Sequence, residues 1–302
     1  MHHPGARPHP EVSTRNIVLT ILLNLVITGA QVAGGLISGS LSLLSDALHN
    51  FSDGMALLTS YVAVRIGRKE KTAHKTYGYR RVEILAALLN AGVLIVVSFF
   101  LFKESIGRLI TPAPISTGIM MSVAALGLLA NMAGVLLLRR DAASSLNIRS
   151  AYLHLTADAL TSVAVILAAL LIRWFGFLWV DSLFTIFIGL YVLFGGYSVL
   201  REAVDILMQS APRHMDIDGI RKRVEGLGEV ESFHHIHVWR MTESESFLEG
   251  HVDLKEDYRL SRCGEIVGRI ESILQREYGI THLTLQCEYP RCKDASTMCS
   301  ES

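Results

Sequence analysis

Two stretches of this 302-residue chain place ionisable side chains where apolar ones are the rule. In "LLSDALHNFSDGMALL" (Leu43 to Leu58), His49 and Asp53 stand four residues apart; in "AYLHLTADALTSVAVILAALLI" (Ala151 to Ile172), His154 and Asp158 repeat that spacing. Side chains four apart share one face of an α-helix, with Cβ atoms about 5–6 Å from each other, so each pair is a two-point clamp. Two facing clamps offer two imidazole nitrogens and two carboxylate oxygens. That donor set suits tetrahedral Zn²⁺, whereas thiolates would suit Cu(I) and all-oxygen sites Mg²⁺ or Ca²⁺. A proton relay, or a His–Asp hydrogen bond within each helix, would use the same residues, but the duplicated spacing favours a metal. Asp46, three residues before His49, is expected to hold the imidazole tautomer and not to bind metal itself.

The elements that must position these residues are membrane spans. Half of the chain is hydrophobic and only 19% is charged, too apolar for an ordinary soluble domain of this length. Six mostly apolar runs are long enough to cross a hydrocarbon core of roughly 30 Å. They fall near Ile17 to Ser38, Leu41 to Ile66, Ile84 to Phe102, Ile115 to Leu138, Ala151 to Ile172 and Leu183 to Leu200. An unpaired Asp at mid-membrane costs about 2.5–3.5 kcal/mol, so the two clamps are expected to face the bundle interior, away from lipid.

Loop charge sets an expected orientation. The connection "RIGRKEKTAHKTYGYRR" holds Arg65, Arg68, Lys69, Lys71, Lys75, Arg80 and Arg81, and the next loop on that side adds Arg139, Arg140 and Arg149. The opposite connections carry only Lys103, Arg108 and Arg173, so the basic loops and both termini are expected in the cytoplasm. The formal net charge is zero, which gives no basis for nucleic-acid binding; the expected partner surface is the lipid bilayer.

The expected domain limits are a disordered N-terminal tail over 1–15, a six-span domain over 16–208, a cytoplasmic domain over 209–290 and a flexible tail over 291–302. Within the third, helical periodicity, two alternating segments, an amphipathic helix and a last alternating segment follow in the order α, β, β, α, β. This predicts a small α+β module with a three-stranded sheet and two helices on one face. Strand alternation places His235 and His237 of "FHHIHVW" on one face and His234 on the other. All four cysteines (Cys263, Cys287, Cys292, Cys299) lie in the polar C-terminal third, with no paired spacing; free thiols in a reducing compartment are expected, with the last three as alternative soft ligands.

The chain resembles the cation diffusion facilitators, which export divalent transition metals from the cytoplasm. The resemblance rests on "GSLSLLSDALHNFSD", "YGYRRVEILAALLNA", "HLTAD", "HHIHVW" and "HLTLQCE" and covers nearly the whole chain. It implies a six-span homodimer with cytoplasmic metallochaperone-like domains, in which protons move in exchange for metal. By position the transport site is His49, Asp53, His154 and Asp158, a set usual for zinc in this family. His234, His251 and Glu288 match positions that bind regulatory zinc in some members; where some have a histidine two residues before the acid, this chain has Gln286. The peripheral loop site of bacterial relatives is not expected, because Lys75 and Tyr79 stand at its positions and His74 reads as a solvated loop residue.

The implied function is efflux of a divalent cation, Zn²⁺ as substrate and as regulatory ligand, with protons as the coupling ion and a bacterial inner membrane as the location. Metal ligands must be deprotonated, so loading releases protons and reprotonation favours release. An intramembrane metallohydrolase would need an HExxH-type motif, which the chain lacks. A membrane metal sensor without transport is the remaining alternative.

Overall fold

The computed structural model describes residues 14–67, 71–139 and 146–289. They divide into two compact units, one drawn from residues up to Val62 and Ala87–Leu200, the other from Ala63–Ala86 and the chain from Arg201 onward. The expected tails, apart from the first residues of α1, lie outside the described residues, as do Cys292 and Cys299.

Six long helices fill the first part of the chain: α1 (Thr14–Ser38), α2 (Leu41–Gly67), α3 (Val82–Ile110), α4 (Thr117–Leu138), α5 (Leu146–Phe175) and α6 (Trp179–Leu207). Among the described residues α3, α4, α5 and α6 are each long and apolar enough to cross a membrane, and α1 contributes a shorter apolar stretch, Leu25–Ser38. Helix α2 is interrupted by Asp46, His49, Asn50 and Asp53, and for that reason it is the least lipid-like of the six. Large apolar side chains such as Leu36, Leu89, Phe99, Phe100, Leu129 and Phe194 point outward, as lipid-facing residues do. The helices extend beyond the apolar runs, α3 ending at Ile110 and α5 beginning at Leu146.

Two local devices fix the part of the bundle that carries the clamps. Small residues let helices approach closely: a Cβ on Gly34 of α1 would meet Val123 of α4 at 2.7 Å, and one on Gly134 of α4 would meet Leu155 of α5 at 2.7 Å. The start of α2 is capped from α6. The Asp181 carboxylate, 1% exposed, accepts from the backbone N–H groups of Leu41 and Ser42 and from the hydroxyls of Ser40 and Ser42. It thereby satisfies orphan donors at a buried helix N-terminus.

The second unit carries α7 (Ile217–Glu225), β1 (Val230–Arg240), β2 (Ser246–Leu254), α8 (Leu260–Tyr278) and β3 (Ile280–Glu288), the order read from the sequence. Strand order is β1-β2-β3, with β1 antiparallel and β3 parallel to β2. Ile266, Ile270 and Leu274 recur every four residues along α8, and with Ile220 and Val224 of α7 they pack onto Phe233, Ile236, Val238, Leu248 and Val252 of the sheet. Asp216 caps α7 by accepting from Gly219 N, and Gly279, at φ +69°, ends α8 in the left-handed conformation that a Cβ disfavours. The opposite sheet face carries the polar residues.

Strict alternation fails at one place. The β1–β2 register runs His234↔His251 and then His237↔Glu249, so a bulge intervenes, and His235 sits at φ +51°. The extra residue brings His234 and His235 toward the same side: both rings lie close to His251, at 5.6 and 4.8 Å between centroids. His235 and His237 do share a face, as expected, with ring centroids 4.7 Å apart. A left-handed conformation at a residue with a Cβ costs on the order of 1–3 kcal/mol.

Candidate metal centres

Helices α2 and α5 bring the two clamps together. His49 Nε2 lies 3.1 Å from Asp158 Oδ1 and 3.7 Å from Asp53 Oδ2; His154 Nε2 lies 3.3 Å from Asp53 Oδ2 and 3.5 Å from Asp158 Oδ2. Four ligand atoms about 2.0–2.2 Å from a central ion at tetrahedral angles stand about 3.3–3.6 Å apart, so these separations bracket the edges of such a site. All four donor atoms fall within 4.8 Å of one another. Two carboxylates balance a divalent charge, and the imidazoles complete the set without adding to it. The buried Asp53 Oδ2 has no hydrogen-bond partner, an orphaned acceptor that a cation would satisfy. Burial is lopsided: the Asp158 side chain is 6% exposed and that of His154 41%, so the cluster is closed on one side and open on the other.

A buried polar chain supports the cluster. Asn50 Nδ2 donates to Gln31 Oε1 at 2.7 Å, Gln31 Nε2 donates to Asp46 Oδ2 at 2.7 Å, and the Thr161 hydroxyl donates to Asp46 Oδ1 at 2.7 Å. Thr161 Oγ1 also lies 2.9 Å from the Asp158 carbonyl, so the chain ties α1 and α2 to the turn of α5 that bears Asp158. Gly127 of α4 leaves room for it, since a Cβ there would meet Gln31 Nε2 at 3.1 Å. Asp46 therefore does a different job from the one expected: its carboxylate holds Gln31 and Thr161, and His49 finds its close partner in Asp158. Tyr191 of α6, which no sequence pattern singled out, packs edge-on against the His49 ring at 5.4 Å. Gln31 and Asn50 left a readable trace as polar residues inside apolar spans; Tyr191 left none.

The second cluster lies on the polar face of the sheet, where one residue from each strand meets. His251 Nδ1 is 3.1 Å from Glu288 Oε1, and His234 Nε2 is 3.9 Å from Glu288 Oε2. The three donor atoms lie within 4.8 Å of one another. His234 is 2% exposed and its Nε2 has no hydrogen-bond partner, so the nitrogen facing Glu288 is an orphaned buried atom. Its Nδ1 lies 3.3 Å from Ser232 Oγ, which in turn donates to Asp253 Oδ2. Gln286 donates its amide to Glu288 Oε1 at 2.7 Å and so orients the carboxylate. Two nitrogens and an oxygen leave one position open for water or another ligand. Cys287 faces the other way, into the hydrophobic layer, and burial and its neighbour Cys263 push its thiol up, which keeps it protonated and a poor ligand.

The chain is similar to known cation efflux proteins along nearly its whole length. A family model for the cation efflux transmembrane domain matches residues 17–208, and one for the cytoplasmic domain of cation efflux proteins matches residues 212–290. The chain is 35% identical over 285 residues to the "Cadmium, cobalt and zinc/H(+)-K(+) antiporter" of Bacillus subtilis, covering 93% of this chain and 91% of that one. It is 37% identical over 264 residues to "Zinc transporter ZitB" of Escherichia coli, covering 87% and 83%. To "Metal cation efflux system protein CzcD" of Cupriavidus metallidurans it is 34% identical over 287 residues, covering 95% and 90%. With paired His–Asp clamps in two long helices, a His–His–Glu cluster on a small three-stranded sheet, and the two family models together matching residues 17–208 and 212–290, this chain belongs to the cation efflux family, the cation diffusion facilitators, as an integral membrane transporter and not an enzyme.

Proposed function

We propose that the chain exports a divalent transition metal, zinc first, across a bacterial inner membrane in exchange for protons, with His49, Asp53, His154 and Asp158 as the transport ligands. The observation that carries this is the match between the four His–Asp separations, 3.1–3.7 Å, and the edges of a tetrahedral zinc site. The names of the relatives support cadmium, cobalt and zinc as cargo and protons as a coupling ion. Cytoplasmic termini follow from the basic loops. His234, His251 and Glu288 are the regulatory ligands, and the domain that bears them joins two copies of the chain.

The mechanism follows from the donor set. Neutral imidazoles and ionised carboxylates hold the metal, and protons compete for all four groups. A proton arriving from the outer side lowers metal affinity there, while loading from the cytoplasm expels protons. The one-sided exposure of the cluster is what alternating access requires, since rocking of the helices would exchange the open side for the closed one. Moderate affinity serves turnover: a structural zinc site worth roughly 10–16 kcal/mol would trap its cargo.

Flux separates this function from that of a sensor without transport. Purified chain in proteoliposomes should carry zinc down an imposed proton gradient, and Asp53→Ala should abolish uptake while leaving the melting temperature nearly unchanged. Zinc-dependent dimer tightening without flux in the parent chain would establish the sensor instead.

A further inference from the structure

Beside the triad of His234, His251 and Glu288, the same sheet face holds two histidines with no assigned role. His235 Nε2 and His237 Nε2 lie 3.3 Å apart. That is the distance two imidazole nitrogens keep when each binds one tetrahedral ion at about 2.0–2.1 Å. Strand alternation puts the two on one face, and the bulge between His234 and His237, with the left-handed backbone of His235, accompanies the close approach of the rings.

We propose that His235 and His237 form a second metal site on this face, taking a divalent transition metal of the zinc type. Glu249 stands directly across the β1–β2 ladder from His237 and is exposed, so its carboxylate can swing in as the third ligand, with water as the fourth. Each neutral imidazole has one nitrogen lone pair, and in the 3.3 Å contact one Nε2 carries the hydrogen. Binding moves that hydrogen to Nδ1 of the same ring and leaves both Nε2 lone pairs for the ion. Access is open: His237 and Glu249 line a cavity of about 630 Å³ whose other wall is the loop bearing His74, Lys75, Arg80 and Arg81. Arg80 is committed to Glu245 at 2.6 Å and Lys75 lies over the Tyr79 ring at 4.1 Å. The remaining positive charge on that wall makes this site weaker than the buried triad.

The pair also differs from the triad in kind. His234 is buried with an orphaned nitrogen, whereas His235 is half-buried and His237 exposed. His235 lies 4.8 Å, ring to ring, from His251, so an ion held by the pair sits next to the triad and can pass into it. A hydrogen bond between two histidines open to water gains little by itself and does not account for a strained backbone held at that point.

The test uses the full-length chain in detergent, with the membrane cluster disabled by Asp53→Ala and Asp158→Ala, titrated with Co²⁺ and read by visible absorption and by equilibrium dialysis. Two equivalents per chain are expected, the second about tenfold weaker than the first. His235→Gln with His237→Gln should remove the weaker equivalent and leave the tighter one, and the single exposed change His237→Gln, which cannot unfold the sheet, should weaken it at least tenfold. His251→Gln should remove the tighter equivalent, so failure of the triad shows separately as an unaffected tighter equivalent in that chain. Absence of a second equivalent in the parent, or its survival in the double histidine variant, overturns the proposal.

Discussion

The membrane cluster and the sheet triad use the same chemistry through opposite construction. In the membrane each His–Asp pair is local, four residues on one helix, and a single tertiary relation, α2 beside α5, completes the set of four. On the sheet no two ligands are local: His234, His251 and Glu288 come from three strands, one of which joins only through the α8 crossover. Two carboxylates would neutralise a divalent ion in the first cluster, and the single one in the second would do so only in part. The first is open at His154 and the second is closed around His234. The first cluster is assembled from two helices; the second is held in a ladder whose register cannot slip without turning side chains to the other face. On the function proposed above, the first construction suits a site that must give up its cargo and the second a site that reports metal.

The largest effect that could break this contrast is at the membrane ligands. Asp158→Asn should reduce zinc uptake into proteoliposomes by more than the roughly 10–100-fold that loss of a supporting partner costs, because it removes charge and a ligand at once. His251→Gln should leave uptake at saturating zinc within about twofold of the parent while weakening zinc binding outside the membrane by about tenfold or more. Equal losses of uptake from both changes would erase the distinction between the clusters.

Next comes the polar chain behind the membrane site. Thr161→Val deletes the hydroxyl that joins Asp46 to the Asp158 turn, and zinc affinity measured by competition with a chromophoric chelator should fall about tenfold, within the range for supporting partners. Unchanged affinity would mean that the Asp46 chain serves only packing. The smallest effect belongs to the sheet domain's frame. Gly279→Ala places a Cβ at φ +69° and should destabilise the chain by about 1 kcal/mol in denaturant melts without changing metal stoichiometry.

How legible each cluster was follows from this construction. The i,i+4 pairs His49–Asp53 and His154–Asp158 were readable because helical geometry alone puts each pair on one face, and their duplication implied that they meet. The order of strands and helices was readable from changes of period at residues such as Val230 to Trp239 and Leu260 to Tyr278. The triad came from resemblance, since nothing local ties His234 to Glu288. The bulge was not readable: alternation predicts opposite faces for His234 and His235, and only the paired register, with Glu249 opposite His237, shows the inserted residue. The role of Asp46 was only partly readable: its distance of three residues from His49 suggests an imidazole contact, whereas tertiary packing gives its carboxylate Gln31 and Thr161 as hydrogen-bond donors.

The central claim is that zinc crosses the membrane on two imidazoles and two carboxylates. X-ray absorption at the zinc edge tests it most directly, on full-length chain carrying His237→Gln and His251→Gln and loaded with one equivalent. The account predicts four nitrogen or oxygen neighbours at about 2.0–2.1 Å with outer-shell scattering from two imidazole rings. Sulfur at about 2.3 Å, a six-coordinate oxygen shell, or the scattering of fewer than two imidazoles would contradict it.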